Sequence, residues 1–419
     1  MKVKYSDILK WTIELLIIMK LGFVKLLGSW IPMFASPYDT YPECVLYLTL
    51  TILSVLFTIA VYGKKVNSYL NIELLLALVA LLGGIVNALN WNNLELMTAI
   101  SSAMPYFYLL LSYPVYILLK KGCWNFEKFL DFILFWGTIA NILKMLNCAS
   151  WFFTGNVIWA NLISNANWIL NNSIRINPPF ASLLIIPISY YKMSIELKNG
   201  HKIKYLFPII ISIAYSTFVH QARSVLLYQV ITLVAMFVAE HVTSRKKIVR
   251  WFFVLVAAVL IINTSSFDTF VNSFSPDNSV SGGSTVARFS AIFKFANMYA
   301  KHPFWGIGFL EEAEKNVGMI GAGLGHLDDI GVLGSFFTLG IPFLLLAVFL
   351  LGRSFYLAYK VKIYHTGYAL LLIGMSVILV TTGINISWFN EIYAFAMPLY
   401  LGILEYVNYY IKKYKYTYA

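Results

Sequence analysis

Charge is what this 419-residue chain has least of: Asp, Glu, Lys and Arg together make up 12% of it, against 59% hydrophobic residues. So little polar surface cannot clothe a water-soluble core of this size, which excludes a soluble globular protein. Cysteine is scarce as well. Cys44, Cys123 and Cys148 fall in or beside apolar runs without metal-ligand spacing, so neither a disulfide framework nor a zinc site is expected. No small-residue cleavage site follows the first apolar run, which reads as a signal anchor. A Gly-rich phosphate loop and an acidic metal motif are both missing, and the two halves show no direct or inverted repeat.

What the chain does have is mean hydropathy of +0.73 and 17% aromatics. Apolar runs of bilayer-crossing length recur near 11–34, 41–62, 70–89, 95–119, 129–150, 176–193, 204–221, 223–241, 249–265, 330–352, 366–384 and 392–411. The pattern predicts an all-α polytopic membrane protein, a single integral membrane domain over 1–419 with about twelve transmembrane helices. Lys and Arg then set the orientation. Most of the 31 basic residues cluster at alternate ends of these runs, as in Lys64–Lys65, Lys120–Lys121, Arg245–Lys247 and Lys412–Lys413, which puts both termini in the cytoplasm. The formal net charge of +12 is thereby a feature of topology. It does not form a basic, aromatic-interleaved nucleic-acid domain.

Two outer segments are long. Residues 151–175 mix Trp151, Trp159 and Trp168 with many Asn, a composition that predicts an interfacial helix. Residues 266–329 form a long extracytoplasmic loop. Within it, "STVARFSAIFKFANMYAKHP" reads as an amphipathic helix, capped by Ser284 or Thr285 and stopped by Pro303. Arg288, Ala291, Ile292, Phe295 and Tyr299 share its apolar face, which favours a buried or membrane-facing partner for the guanidinium. Lys294 and Lys301 read as solvated charges, and Glu311, Glu312 and Glu314 as a solvated acidic face.

Basic residues are depleted outside, so the arginines there need a reason. Arg223, in "HQARS" at a tight outer turn, either snorkels to the interface or serves an anion. His326 has Asp328 and Asp329 close by in "GHLDDIG" at the mouth of a span. One reading makes the aspartates helix-start acids and His326 a loop residue; the other makes His326 a carboxylate-oriented general base. Arginines bind a diphosphate through planar, bidentate hydrogen bonds and so can do what a divalent metal does in soluble transferases. The combination points to a lipid-linked donor.

The short outer turn with "ARS", the loop "ARFSAIFKFANMYAKHPFWGIGF" and "GHLDDIGVLGSFFTLG" entering the next span together resemble the O-antigen polymerase and O-antigen ligase family. The similarity is concentrated in 285–340, and the chain departs from it at Ser224–Val225, where many members have Gly, and at Leu327–Asp328, where many have Asn. The resemblance implies about a dozen spans and transfer of glycans from undecaprenyl diphosphate at the outer face of the bacterial cytoplasmic membrane. It implies that Arg223 and Arg288, with Arg175 of "SIRINPPF", engage the lipid diphosphate, and that His326, with Asp329 beside it, assists the acceptor hydroxyl. The transfer would be inverting and independent of metals and other cofactors. Its partners would be lipid-linked donor and acceptor, the bilayer, and flippase and chain-length regulator proteins. Polymerisation of repeat units into capsule, exopolysaccharide or O-antigen is the first expectation. A ligase differs in its acceptor. The competing classes are a lipid-linked oligosaccharide flippase and a transferase using Asp39 or Glu43 of "SPYDTYPEC" as base.

Overall fold

Apolar segments leave the backbone one local way to satisfy its hydrogen bonds away from water, which is within the helix itself. The computed structural model of the chain describes all residues except 1–3, 29, 37–39, 64–67, 163–168, 171–172, 196–202, 241–281, 318–324, 391 and 418–419. Among the described residues it is predominantly helical: α1 Tyr5–Lys20, α2 Tyr41–Tyr62, α3 Ser68–Asn90, α4 Leu96–Phe107, α5 Ser112–Lys120, α6 Phe126–Thr154, α7 Ser182–Ile195, α8 Ile203–Ala214, α9 Arg223–Ala239, α10 Gly282–Tyr299, α11 Glu312–Lys315, α12 Val332–Val361, α13 Thr366–Gly383 and α14 Ala396–Thr417. Among the described residues, strand is confined to two short antiparallel ladders, Ile169–Leu170 with Ser173–Ile174 and Asn316–Val317 with Gly325–His326.

Among the described residues, six helical segments are long and apolar enough to cross a membrane: Tyr41–Tyr62, Tyr69–Asn90, Leu96–Lys120, Phe126–Thr154, Val332–Val361 and Thr366–Gly383. The chain is therefore an all-helical membrane protein. Leu53, Leu56, Leu75, Leu82 and Val348 point outward from these helices and stay exposed, as a lipid-facing surface requires. Inside, α12 packs on α3 and α13, α13 on α7 and α9, and α14 on α5. Tyr191, Phe343, Tyr393, Phe395 and Tyr400 fill the centre.

Every expected apolar run holds a helix except 249–265, which lies outside the described residues. The first run is shorter than expected. Its helix ends at Lys20, Gly22 turns the chain with φ 93°, and Phe23–Leu27 and Pro32–Phe34 are 3-10 turns. Beyond the turn, Lys25 points inward to Glu43. In the sixth run, Pro178 and Pro179 precede a helix that begins only at Ser182.

The interfacial helix expected over 151–175 is not found among the described residues. Residues 151–154 complete α6, Gly155 stops it in the left-handed conformation at φ 70°, and Ile169–Leu170 pairs with Ser173–Ile174 in the first ladder. Asn147 holds the segment back against α6, accepting from the Trp159 backbone N–H at 2.9 Å and donating to its carbonyl at 2.8 Å. Trp168 lies outside the described residues.

One irregularity shapes the region of interest. Inside α12, Pro342 has no N–H for the Thr338 carbonyl, and Gly340 leaves the helical region at φ 69°, ψ −156°. The Ile341 N–H turns to the Phe304 carbonyl at 2.9 Å, which frees the Phe337 carbonyl as well. The loop after α10 satisfies both orphans: Ile307 donates to Phe337 at 2.8 Å and Gly308 to Thr338 at 3.0 Å. From the other side, Asn87 of α3 donates to the Gly306 carbonyl at 2.7 Å, and Asn92 to those of Ile307 and Phe309 at 2.9 and 2.8 Å. The "FWGIGF" segment is thus fixed between α3 and the broken α12.

Candidate active site

Helix α10 begins at Gly282, ahead of Ser284 and Thr285, so neither caps it as expected, and it ends at Tyr299 before Pro303. Its apolar face does what its spacing predicts. Ala291 and Phe295 are fully buried in a small core with Ile307, Leu310, Leu327, Ile330 and Phe337, and Ile292 and Tyr299 pack at its edge. Burying that stripe fixes the rotation of α10 and brings Arg288 to the turn that carries the acidic pair. Arg288 is half-buried, and its Nε is buried without a hydrogen-bond partner. Lys294 differs from expectation: its ammonium donates to the carbonyls of Glu314 and Asn316 at 3.1 and 2.8 Å, pinning the second ladder to α10. Lys301, Glu311 and Glu314 are exposed.

Arg223 is the first residue of α9, where the chain has just left a π-helical turn, Tyr215–His220, through Gln221 at φ 52°. Arg175 follows the first ladder and is held by its surroundings. Its Nε donates to the His220 carbonyl at 3.0 Å, while the Tyr215 hydroxyl donates to the carbonyls of Ile176 and Asn177 at 2.9 and 3.0 Å. Lys144 of α6 adds a bond to the Asn177 carbonyl at 2.8 Å.

The three arginines come from separate parts of the chain and meet. Arg175 lies within electrostatic reach of Arg223, and Arg223 within reach of Arg288. Burial, and then the neighbouring Arg223 charge, push the Arg175 guanidinium down to about 10. It remains a cation at neutral pH, held in a setting that disfavours its charge and would be relieved by an anion.

His326 ends the second ladder and caps the 3-10 turn Leu327–Ile330, its Nδ1 accepting the Asp328 backbone N–H at 3.2 Å. The Asp328 carboxylate stands 3.9 Å from that same nitrogen, beyond hydrogen-bond range. At Nδ1 it is the Asp328 backbone amide that meets the ring. Where Nδ1 accepts, the neutral imidazole carries its proton on Nε2, an assignment made from the hydrogen bond. Asp329 lies within electrostatic reach of Arg288 and His326. Its side chain is exposed along part of its surface, yet protein encloses the carboxyl enough that lost hydration raises its pKa, against the lowering influence of Arg288 and His326.

Other residues that sequence reasoning passed over line the same region. Ser224 Oγ accepts from Asn385 Nδ2 at 3.1 Å and is hydrogen-bonded to Tyr228, whose ring in turn lies within electrostatic reach of Arg288. Tyr228 was legible as the residue one turn beyond Ser224; Asn385 had no local signal, because the packing of α13 on α9 brings it there. On the far side, Tyr106 stacks on Phe389 at 4.3 Å, hydrogen-bonds Ser335 and lies within electrostatic reach of Asp328. Ser335 also bonds Ser387.

The acidic first outer loop has a different role from the one considered for it. Glu43 is fully buried, takes both oxygens to Lys25 at 2.6 and 2.7 Å, and accepts the Thr40 N–H at 2.7 Å in a capping box that starts α2. A carboxylate so engaged is not a base. Asp39 lies outside the described residues.

Compared with known proteins, the chain matches no protein-family model and no curated protein.

Proposed function

We propose that the protein is a polysaccharide polymerase that joins undecaprenyl-diphosphate-linked oligosaccharide repeat units at the outer face of the bacterial cytoplasmic membrane, in a bundle of about twelve spans with both termini inside. The observation that carries this reading is the convergence of Arg175, Arg223 and Arg288, drawn from a loop and two helices, beside His326 and Asp329. Like charges repel, so three guanidiniums assembled in an apolar protein call for a multiply charged anion, and a diphosphate fits their planar donors.

In the reaction, the hydroxyl oxygen of the incoming repeat unit attacks the anomeric carbon of the donor glycan. The bond from that carbon to the diphosphate oxygen breaks, and undecaprenyl diphosphate leaves with both electrons and its charge on the arginines. The hydroxyl proton goes to Asp329, whose raised pKa makes it a better base than an ordinary carboxylate. His326 contributes as a donor through Nε2–H, since its Nδ1 is occupied by the Asp328 amide. Attack opposite the leaving group inverts the anomeric centre.

Purified protein supplied with lipid-linked repeat unit should extend it, with the polymer left on the isoprenoid lipid. Arg288→Ala and His326→Ala should each abolish extension; normal chain growth by both variants would sink the mechanism. Transfer of the product to a different, lipid-free acceptor would make the protein a ligase instead.

A further inference from the structure

Roughly five helical turns beyond Ser335 along α12, a charged cluster sits in the bundle that the transfer reaction does not use. Arg353 Nη1 donates to Glu73 of α3 at 2.8 Å, and Nη2 is ion-paired with Glu405 of α14. Asn408 Nδ2 reaches the second oxygen of Glu405 at 3.4 Å. The side chain of Arg353 is 6% exposed and both glutamates 0%. Around them stand Tyr400 of α14, Tyr116 of α5 and Tyr69 of α3, with the Arg353 guanidinium 5.1 Å from the Tyr69 ring centre and Lys412 of α14 over the same ring at 5.8 Å.

Two carboxyl groups share one guanidinium here, and they are not equivalent. Glu405 closes an ion pair with Arg353 and takes an amide on its other oxygen. Glu73 receives one Arg353 donor on Oε2, while Oε1 is buried with no donor at all. A carboxylate with a bare oxygen in the interior of an apolar bundle carries a large desolvation cost, and a cation already matched by another carboxylate offsets little of it. A proton on the bare oxygen removes that charge without moving an atom of the cluster.

We propose that Glu73 holds a proton on Oε1 in the folded protein, so that Glu73, Arg353 and Glu405 form an intramembrane proton-binding site. The ion pair Arg353–Glu405 is the fixed charge of this site, and Glu73 is its neutral, proton-carrying member. The proton secures the contact between α3 and the α12–α14 pair, and the contact weakens as rising pH removes it. Nothing in this assignment depends on the glycosyl transfer reading.

Infrared spectroscopy of the full chain in lipid nanodiscs tests it, with carbon-13 at glutamate carboxyls to identify the band. At neutral pH the wild type should show the C=O stretch of a protonated glutamic acid, and Glu73→Gln should lose it while keeping the wild-type thermal midpoint, because the amide imitates the neutral acid. Glu405→Gln should lose the band as well, because Arg353 then lacks its matched carboxylate and draws Glu73 into the ion pair. Absence of the band from the wild type, its survival in Glu73→Gln, or failure of Glu73→Gln to fold would each overturn the proposal.

Discussion

Asp329 and Arg288 show how a site residue can work against the fold that holds it. Asp329 has its pKa raised chiefly by lost hydration, so the folded chain binds its proton more tightly than the unfolded chain does. Its contribution to stability is then complete below the ordinary carboxylate range and is lost as pH climbs through the raised value. Base catalysis asks for the opposite, an ionised carboxylate. The rate of chain extension should therefore rise with pH, with a midpoint above the usual carboxylate range, and Asp329→Asn should be nearly inactive at every pH. A profile that instead follows a histidine midpoint, with Asp329→Asn still active, would return the base to His326. The sequence made the candidates readable here: Arg288 from its place on an apolar stripe, His326 and the aspartates from their proximity. The tautomer was not readable, because it depends on a backbone amide meeting Nδ1 across the 3-10 turn, and proximity in sequence says nothing of that angle.

Among the elements, α12 and the first outer loop diverge most from their sequence signals, and for opposite reasons. The apolar run of α12 predicts one continuous helix, while Gly340 and Pro342 break it and hand two carbonyls to the loop after α10. At φ 69°, ψ −156°, Gly340 occupies backbone space essentially reserved for glycine, and an added Cβ would collide with the Phe304 carbonyl. Gly340→Ala should cost about 1–3 kcal/mol from backbone strain alone and loosen the "FWGIGF" segment, which thermal unfolding and protease sensitivity of that loop would both report. Unchanged unfolding would mean the break is not built as described. In the first outer loop, Lys25 looks like a flaw in a span and Glu43 like a candidate base, yet they are a buried pair that starts α2. Leaving Lys25 without its partner exposes an uncompensated buried charge, so Glu43→Gln should destabilise the protein by about 3–5 kcal/mol. Loss of activity in that variant should track loss of folded protein, and a fully folded but inactive Glu43→Gln would restore the catalytic reading. Local spacing could not reveal this pair, because the 18-residue separation is closed by tertiary folding.

For the whole molecule, composition read the class of fold directly, since so few charges leave no other home for the chain than a bilayer. Count and sidedness are finer matters: α1, α7, α8 and α9 are each shorter than a full span by themselves, and the positive-inside bias is a rule about loops that the helix packing does not record. The interior nevertheless makes the two ends of the bundle unlike each other. One end gathers Arg175, Arg223, Arg288, His326 and the paired serines of α12 and the α13–α14 connection. The buried Lys192 reaches the exposed Glu127 and Asp131, each at 2.8 Å, in a separate cluster where α6 begins and α7 ends. If the arginine end is the outer one, exposed positions at the two ends must differ in access. In a background with Cys44, Cys123 and Cys148 replaced, a cysteine at Lys301, which is exposed just after α10, should react with a membrane-impermeant maleimide in intact cells. A cysteine at Lys362, exposed where α12 ends, should react only after the membrane is permeabilised. Reaction of both in intact cells would break the assigned topology. Reaction of Lys362 alone would invert it, which would place the arginines in the cytoplasm and remove the outer-face polymerase reading with them.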